Sequence, residues 1–275
     1  MNKYFKNSKI KVIRVKEGRK ILKFKAEIVK KNLLSSNESK VKKGIREFLK
    51  YCWGDFGEDF IEKHIINTNW ALFLREDDRL VGITAVSKKN ILNKNIYYLE
   101  FTGLLPEIRS LGLMGRINSI LFNHIFIDNL IKNGKLTVDI MFISPNPRVL
   151  GFLAKVAKFM YPNPLLFDTE TKKIPPADEE TWQIVEELIR QSDKPNRILH
   201  RDGCVLEGSY ADMPWLIYKK DEVPWYRNKL VNDFCETYLD YQKEEGKEFI
   251  IRAEITLRSL VVYYIKEFLN NFLKN

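Results

Sequence analysis

The chain has 275 residues, 45% of them hydrophobic and 30% charged, a balance that excludes intrinsic disorder, which needs low hydrophobicity. No apolar run reaches the roughly 20 residues that span a bilayer. The first residues alternate lysines with polar residues and lack a signal-peptide core, so a cytoplasmic protein with no membrane partner is expected. The net charge of +10 is uneven: the first 50 residues hold 17 of the 46 basic residues and four of the 36 acidic ones, a net of +13 that leaves −3 on the remainder. Such a segment attracts anionic partners or forms a solvated surface. Its lysines do not alternate with aromatic residues as in a stacking platform, so nucleic acid is disfavoured as a partner.

In chain order, residues 8–15 (SKIKVIRV) alternate apolar and basic side chains, the period of a half-buried strand. From Glu17 to Leu34 the pattern is read as helical. The Ser35–Ser36–Asn37 cluster breaks it, and further helices are expected over Glu38–Tyr51 and Phe56–Ile66. Trp70–Arg75 reads as a strand, Glu76–Asp77–Asp78 as a turn and Arg79–Ser87 as the hairpin partner. Ile96–Leu105 is another strand. A long helix follows over Gly112–Lys132, with Leu113, Ile117, Ile120, Leu121, His124, Ile125 and Leu130 on one face. Leu136–Ser144 is a strand, and Pro147–Met160 a helix with proline at its first position. Beyond a proline-punctuated loop, a helix capped by Asp178 is expected to Gln191. Strand signals recur over Arg197–Glu207 and Pro214–Lys219, and the tail from Trp225 reads as mostly helical. The fold class is α+β, a mixed, mostly antiparallel central sheet flanked by helices. One domain would span 1–220, with a helical C-terminal extension over 221–275.

Cys52, Cys204 and Cys235 are odd in number and widely spaced. His64, His124 and His200 have no ligand spacing to them or to one another, so neither a disulfide framework nor a metal site is expected. The informative segment is Leu104-Leu-Pro-Glu-Ile-Arg109-Ser-Leu-Gly112-Leu-Met-Gly115, a loop that opens a helix with glycines at its mouth. Unpaired N–H groups at a helix start, with the helix dipole, attract phosphate. Gly112 and Gly115 keep side chains out of the way, and Arg109 adds positive charge.

This segment resembles the acyl-CoA-binding motif of the GNAT superfamily of N-acyltransferases, an aliphatic-x-Pro-x-x-Arg/Gln-x-x-Gly-x-Gly/Ala pattern. Pro106, Arg109 and Gly112 fall on matching positions; Met114 stands where the family has Gly or Ala, and Gly115 follows one residue late. The likeness covers about residues 8–162, includes Asn146 after the strand ending at Ser144, and makes the strands between Arg197 and Lys219 candidates for a closing hairpin, which implies an insertion over about 163–196. It implies that a pantetheine arm pairs with the main chain at Leu104 and Leu105. A pyrophosphate would then rest on Leu111, Gly112, Leu113, Met114 and Gly115. Gly103 is either a bulge that turns an N–H toward the thioester or an ordinary strand glycine.

The resemblance further implies transfer, most simply of acetyl from acetyl-CoA, to an amine acceptor by direct attack. Such chemistry needs a base for the ammonium proton, a donor for the oxyanion and a proton for the departing thiolate. Glu100 is the first candidate base, by itself or through water, and reads otherwise as an exposed strand carboxylate or a salt-bridge partner; Asp139, costly between Val138 and Ile140 unless paired, is the second, and reads otherwise as pointing to a wet edge. The position where the family commonly has a thiolate-protonating tyrosine holds Leu153, and Tyr161 comes too late. His124 reads as a core residue, Cys52 has no activating histidine beside it, and Trp215 and Trp225 are either pocket linings or packing. Two further readings stand beside the transferase: a non-catalytic acyl-CoA-binding protein on the same fold, and a nucleic-acid-binding protein using the basic first 50 residues.

Overall fold

The computed structural model describes residues 8–18, 20–192, 197–210 and 214–272. The side chains of Trp215, Tyr264, Phe268 and Phe272 fall outside the described part. The strands form a mixed, mostly antiparallel open sheet flanked by helices, as expected. The chain clusters into two compact units: Met1–Lys89 with Tyr97–Lys135, and Asn90–Ile96 with Leu136–Asn275. No described helix is long and apolar enough to cross a membrane.

In the first unit, β1 (Lys9–Glu17) turns at Gly18, whose φ of +57° suits glycine, into β2 (Lys20–Lys30), pairing from Glu17 with Lys20 to Lys9 with Ile28. This corrects the helix expected from Glu17. Leu22, Phe24, Ala26 and Ile28 recur every second residue, and the last three are buried, so the strand period holds. Helix is confined to α1 (Lys31–Ser36) and α2 (Glu38–Cys52), which buries Val41, Ile45, Phe48 and Leu49 as one stripe. A short α3 (Glu58–Ile61) continues as a wider π turn over Glu62–Ile66. β3 (Trp70–Glu76) turns at Asp77 into β4 (Arg79–Ile91), which returns through Leu92 and Asn93 as β5 (Lys94–Leu104). All three of these turn residues have positive φ, as tight hairpins favour. The sheet order is β1-β2-β3-β4-β5. A 3-10 turn over Pro106–Leu111 leads to α4 (Leu113–Asn133), which buries Leu113, Ile117, Leu121, Ile125 and Phe126.

The second unit opens with β6 (Thr137–Ser144) and α5 (Pro147–Val156). That helix stops short of the expected Met160 because Phe159–Tyr161 extends as β7. α6 (Glu179–Arg190) begins at the predicted cap, Asp178, whose carboxylate accepts from Thr181 N at 2.6 Å. β8 (Ile198–His200) and β9 (Val205–Glu207) make a small hairpin. Pro214–Leu216 is a 3-10 turn and not the expected strand. After α7 (Lys229–Leu239), the tail expected to be helical contains β10 (Glu248–Thr256) before α8 (Leu257–Phe272). β10 pairs with β6 from Phe249–Ser144 to Thr256–Thr137, and with β7 and β9. Buried Phe249, Ile250, Ile251 and Ala253 give it the continuous apolar run of a central strand, which hides the period of two.

Candidate functional site

The main chain between β5 and α4 is pinned by its own bonds. Leu105 N donates to Val81 O at 2.9 Å, and the side chains of Leu104 and Leu105 are buried, so these residues offer only backbone. Pro106 starts the 3-10 turn, and Arg109 Nε reaches back to Leu104 O at 3.1 Å, tying the turn to the strand end. Gly112 then takes the left-handed conformation, φ +66° and ψ +18°, as the residue before α4. Among the described residues no side chain caps α4, and no acidic residue lies in its first turn. The first-turn N–H groups of Leu113, Met114 and Gly115 therefore keep the positive end of a 21-residue helix unneutralised. A Cβ placed on Gly112 or Gly115 would meet nothing among the described residues within 4 Å. Leu111, half-exposed, closes the turn. Met114, which departs from the family pattern, folds its sulfur onto Thr102, whose Oγ1 donates to Sδ at 3.1 Å. Its side chain is thereby held away from its own backbone N–H. The mouth is open and its chemistry fits a diphosphate.

Behind it, Gly103 is a glycine for a steric reason: a Cβ there would lie 2.0 Å from the Trp53 ring. Trp53 packs edge-on against Phe101 and Phe48, and Phe101 against Phe60, at centroid separations of 5.0 to 6.1 Å. Cys52 Sγ lies 3.7 Å from Leu104 O. Burial pushes its thiol up to about 11 against the pull of Arg109, so it is no nucleophile at neutral pH.

Glu100, on β5, is the centre of a polar cluster. His64 Nδ1 sits 3.2 Å from Oε2, Ser87 Oγ donates to Oε1 at 2.5 Å, and Lys89 Nζ is 3.7 Å from Oε1. Burial raises the carboxyl, but the bonds from His64 and Ser87 and the charge of Lys89 outweigh it and hold the group below its ordinary value. His64 is the site residue that sequence reasoning missed. It falls in the π turn, its ring lies 4.6 Å from that of Phe60, and only its spacing of four from Phe60 hinted at a shared face.

In the second unit, Asp139 on β6 is gripped by Arg252 of the neighbouring β10. Nη2 is 2.9 Å from Oδ2, and Nε is 3.3 Å from each oxygen. Arg252 also donates to Thr181 Oγ1 at 2.8 Å and Glu180 Oε1 at 3.1 Å. Asn146 spends its side-chain oxygen on capping α5, accepting from Arg148 N at 2.9 Å. Leu153 is buried in α5, and Tyr161 is buried on β7 with its phenol pushed up by desolvation. Trp225 packs edge-on against Tyr241. His124, in the first unit, is partly buried on α4, with its imidazole pushed down by burial and by Lys9 and Lys30. The candidates thus fall into two groups. Glu100, Leu104, Leu105, Arg109, Leu111, Gly112, Leu113, Met114 and Gly115 lie on one strand–turn–helix stretch of the first unit, whereas Asp139 and Asn146 lie in the second.

No family model matches the chain, and a search of curated proteins returns no match. Among solved structures, it is similar to the ribosomal-protein-S5-alanine acetyltransferase from Vibrio fischeri at 14% identity, over 54% of this chain and 85% of that one, with a TM-score of 0.31. The loading GNATL domain of CurA from Lyngbya majuscula matches at 12% identity over 84% of this chain and 96% of that one, TM-score 0.36. An aminoglycoside acetyltransferase from an uncultured soil metagenomic sample matches at 12% identity over 38% and 71%, TM-score 0.27.

Proposed function

We propose that this chain is an acyl-CoA-dependent N-acyltransferase of the GNAT type, taking acetyl from acetyl-CoA to an amine. The observation that carries the reading is the mouth of α4, uncapped among the described residues, open at Gly112 and Gly115 and with no acidic residue in its first turn. Main-chain N–H groups from Leu111 to Gly115 would hold the pyrophosphate, and Arg109 fixes their turn by its bond to Leu104 O. The main chain at Leu104 and Leu105 would run beside the pantetheine arm. Glu100 and its partners supply the acid–base centre for the acceptor's ammonium proton. Asp139 is not assigned a base role, because a bidentate guanidinium occupies both its oxygens in a structural pair. Asn146 is assigned to capping.

Calorimetric titration with acetyl-CoA tests the reading, with one-to-one binding expected and no heat overturning it. Gly115→Asp makes the test specific. At the third helical position a carboxylate favours the helix by roughly 0.5 kcal/mol, and there is open space for it. Thermal stability should hold or rise while affinity falls about tenfold or more, some 1.4 kcal/mol. Unchanged affinity in the stable variant would move the phosphates elsewhere. Leu153, buried where the resemblance implies a thiolate-protonating tyrosine, favours a second reading: an acyl-CoA-binding protein without turnover. Binding with no thiol release across a range of amines would select it.

A further inference from the structure

We infer that His64 is the group that takes the ammonium proton, and that Glu100 is the positioning residue that aims it; this rests on the acyltransferase reading above. An ionised carboxylate only accepts. Glu100 is held in that form, with Ser87 donating to one oxygen at 2.5 Å and His64 Nδ1 facing the other at 3.2 Å. Nδ1 must then carry the proton, and in the neutral ring the lone pair is left on Nε2. Glu100 has 10% of its side chain exposed and His64 31%, so the carboxylate is the buried anchor and the imidazole the accessible end. Phe60 lies against the ring at 4.6 Å, with the planes tilted by 38°, which fixes its orientation from a second side. The π turn over Glu62–Ile66 shifts the helical register where His64 stands, and such turns are frequent at functional sites.

The charged groups around the pair come from three elements. Lys89 on β4 lies 3.7 Å from Glu100. Glu62 and Lys63 flank His64 on its own turn, and Lys42 on α2 engages Glu62 at 3.4 Å. A carboxylate bonded to Nδ1–H both selects the tautomer and favours the imidazolium that forms when Nε2 gains a proton. In the step so assigned, the acceptor's ammonium gives one proton to His64 Nε2. The freed nitrogen lone pair forms the C–N bond to the thioester carbonyl carbon, and the C–S bond breaks. The nitrogen's second proton ends on the departing sulfur. The products are an amide and a free thiol, and the imidazolium returns its proton to solvent.

Two measurements on the full chain test this. With 15N-labelled histidine, neutral His64 should show the Nδ1–H tautomer, its signals assigned by their loss in His64→Gln. In Glu100→Gln that tautomer preference should weaken, because the carboxylate that selects it is gone. In steady-state assays of thiol release from acetyl-CoA with spermidine, tyramine and lysine- or alanine-headed peptides, His64→Gln should lose about a hundredfold in kcat with KM nearly unchanged. Glu100→Gln should lose less, since the imidazole remains. An Nε2–H tautomer, a tautomer indifferent to Glu100→Gln, or wild-type turnover in His64→Gln would each overturn the inference. So would a wild type that binds acetyl-CoA yet releases thiol with none of these amines. Failure of the parent reading is distinct: the wild type then gives no heat with acetyl-CoA, whatever the histidine spectrum shows.

Discussion

At the scale of single residues, two side chains illustrate how function and packing compete for the same position. Gly103 lies where a bulge glycine was one expectation, yet the contact that forbids a side chain there is the Trp53 ring. Gly103→Ala should therefore cost about 2 kcal/mol or more through overpacking. Trp53→Leu in the same chain should return part of that loss, a coupling that a double-mutant cycle in urea would measure. Glu100 adds a pH dependence. Its carboxyl titrates below the ordinary value of 4.5 in the folded chain, so its contribution is complete above that value and is lost as the pH falls through the lower, folded value. Wild type should exceed Glu100→Gln in stability at pH 7, and the gap should close in acid. A gap constant from pH 7 to pH 3 would mean that the carboxylate's partners do not favour its ionised form.

Strand and helix partnerships carry the next set of effects. Asp139 and Arg252 occupy facing strands, and the guanidinium, with 8% of its side chain exposed, also holds Thr181 and Glu180 of α6. Arg252→Met leaves Asp139 uncompensated and should cost about 3 kcal/mol, read from denaturant midpoints. Arg252→Met with Asp139→Leu should recover most of it. Asp139→Asn should lower stability while leaving the pH dependence of any turnover unchanged. Legibility in the sequence divides along the same lines. The loop from Pro106, the start of α4, the β3–β4 hairpin and the Asp178 cap were readable because each has a local chemical cause: proline, glycine, a polar turn, a short capping carboxylate. β2 was misread because Ile21, Leu22, Ile28 and Val29 fit both periods, and only pairing with β1 and β3 decides between them. β10 was hidden because a strand flanked on both sides is apolar nearly throughout. His64 was invisible as a partner of Glu100 because the two are 36 positions apart and meet through a π turn with no sequence signature.

Over the whole molecule the governing feature is the uneven charge. The first 50 residues carry +13 on a chain whose remainder carries −3. The start of α4 is tied to the basic strand β1: Arg116, in the first turn of α4, donates from Nη1 to Arg14 O of β1 at 2.9 Å. Lys11, Arg14 and Lys16 are exposed along that strand. Exposed on β1 and not part of the main-chain mouth, they should act on encounter rather than on grip, since peripheral charges act mainly through association rates. Changing Lys11, Arg14 and Lys16 together to glutamine should slow acetyl-CoA association several-fold at low salt and leave dissociation nearly unchanged. The difference should vanish near 1 M salt, where the screening length falls to about 3 Å. Stopped-flow fluorescence, reading the tryptophans, separates the two rates. Affinity for duplex DNA supplies the contrast: if the segment served nucleic acid, DNA binding would fall steeply with salt in the wild type and disappear in the triple variant, while acetyl-CoA association stayed the same. Loss in the dissociation rate instead would place these cations in direct contact with the phosphates, and the main-chain mouth of α4 would no longer account for the binding by itself.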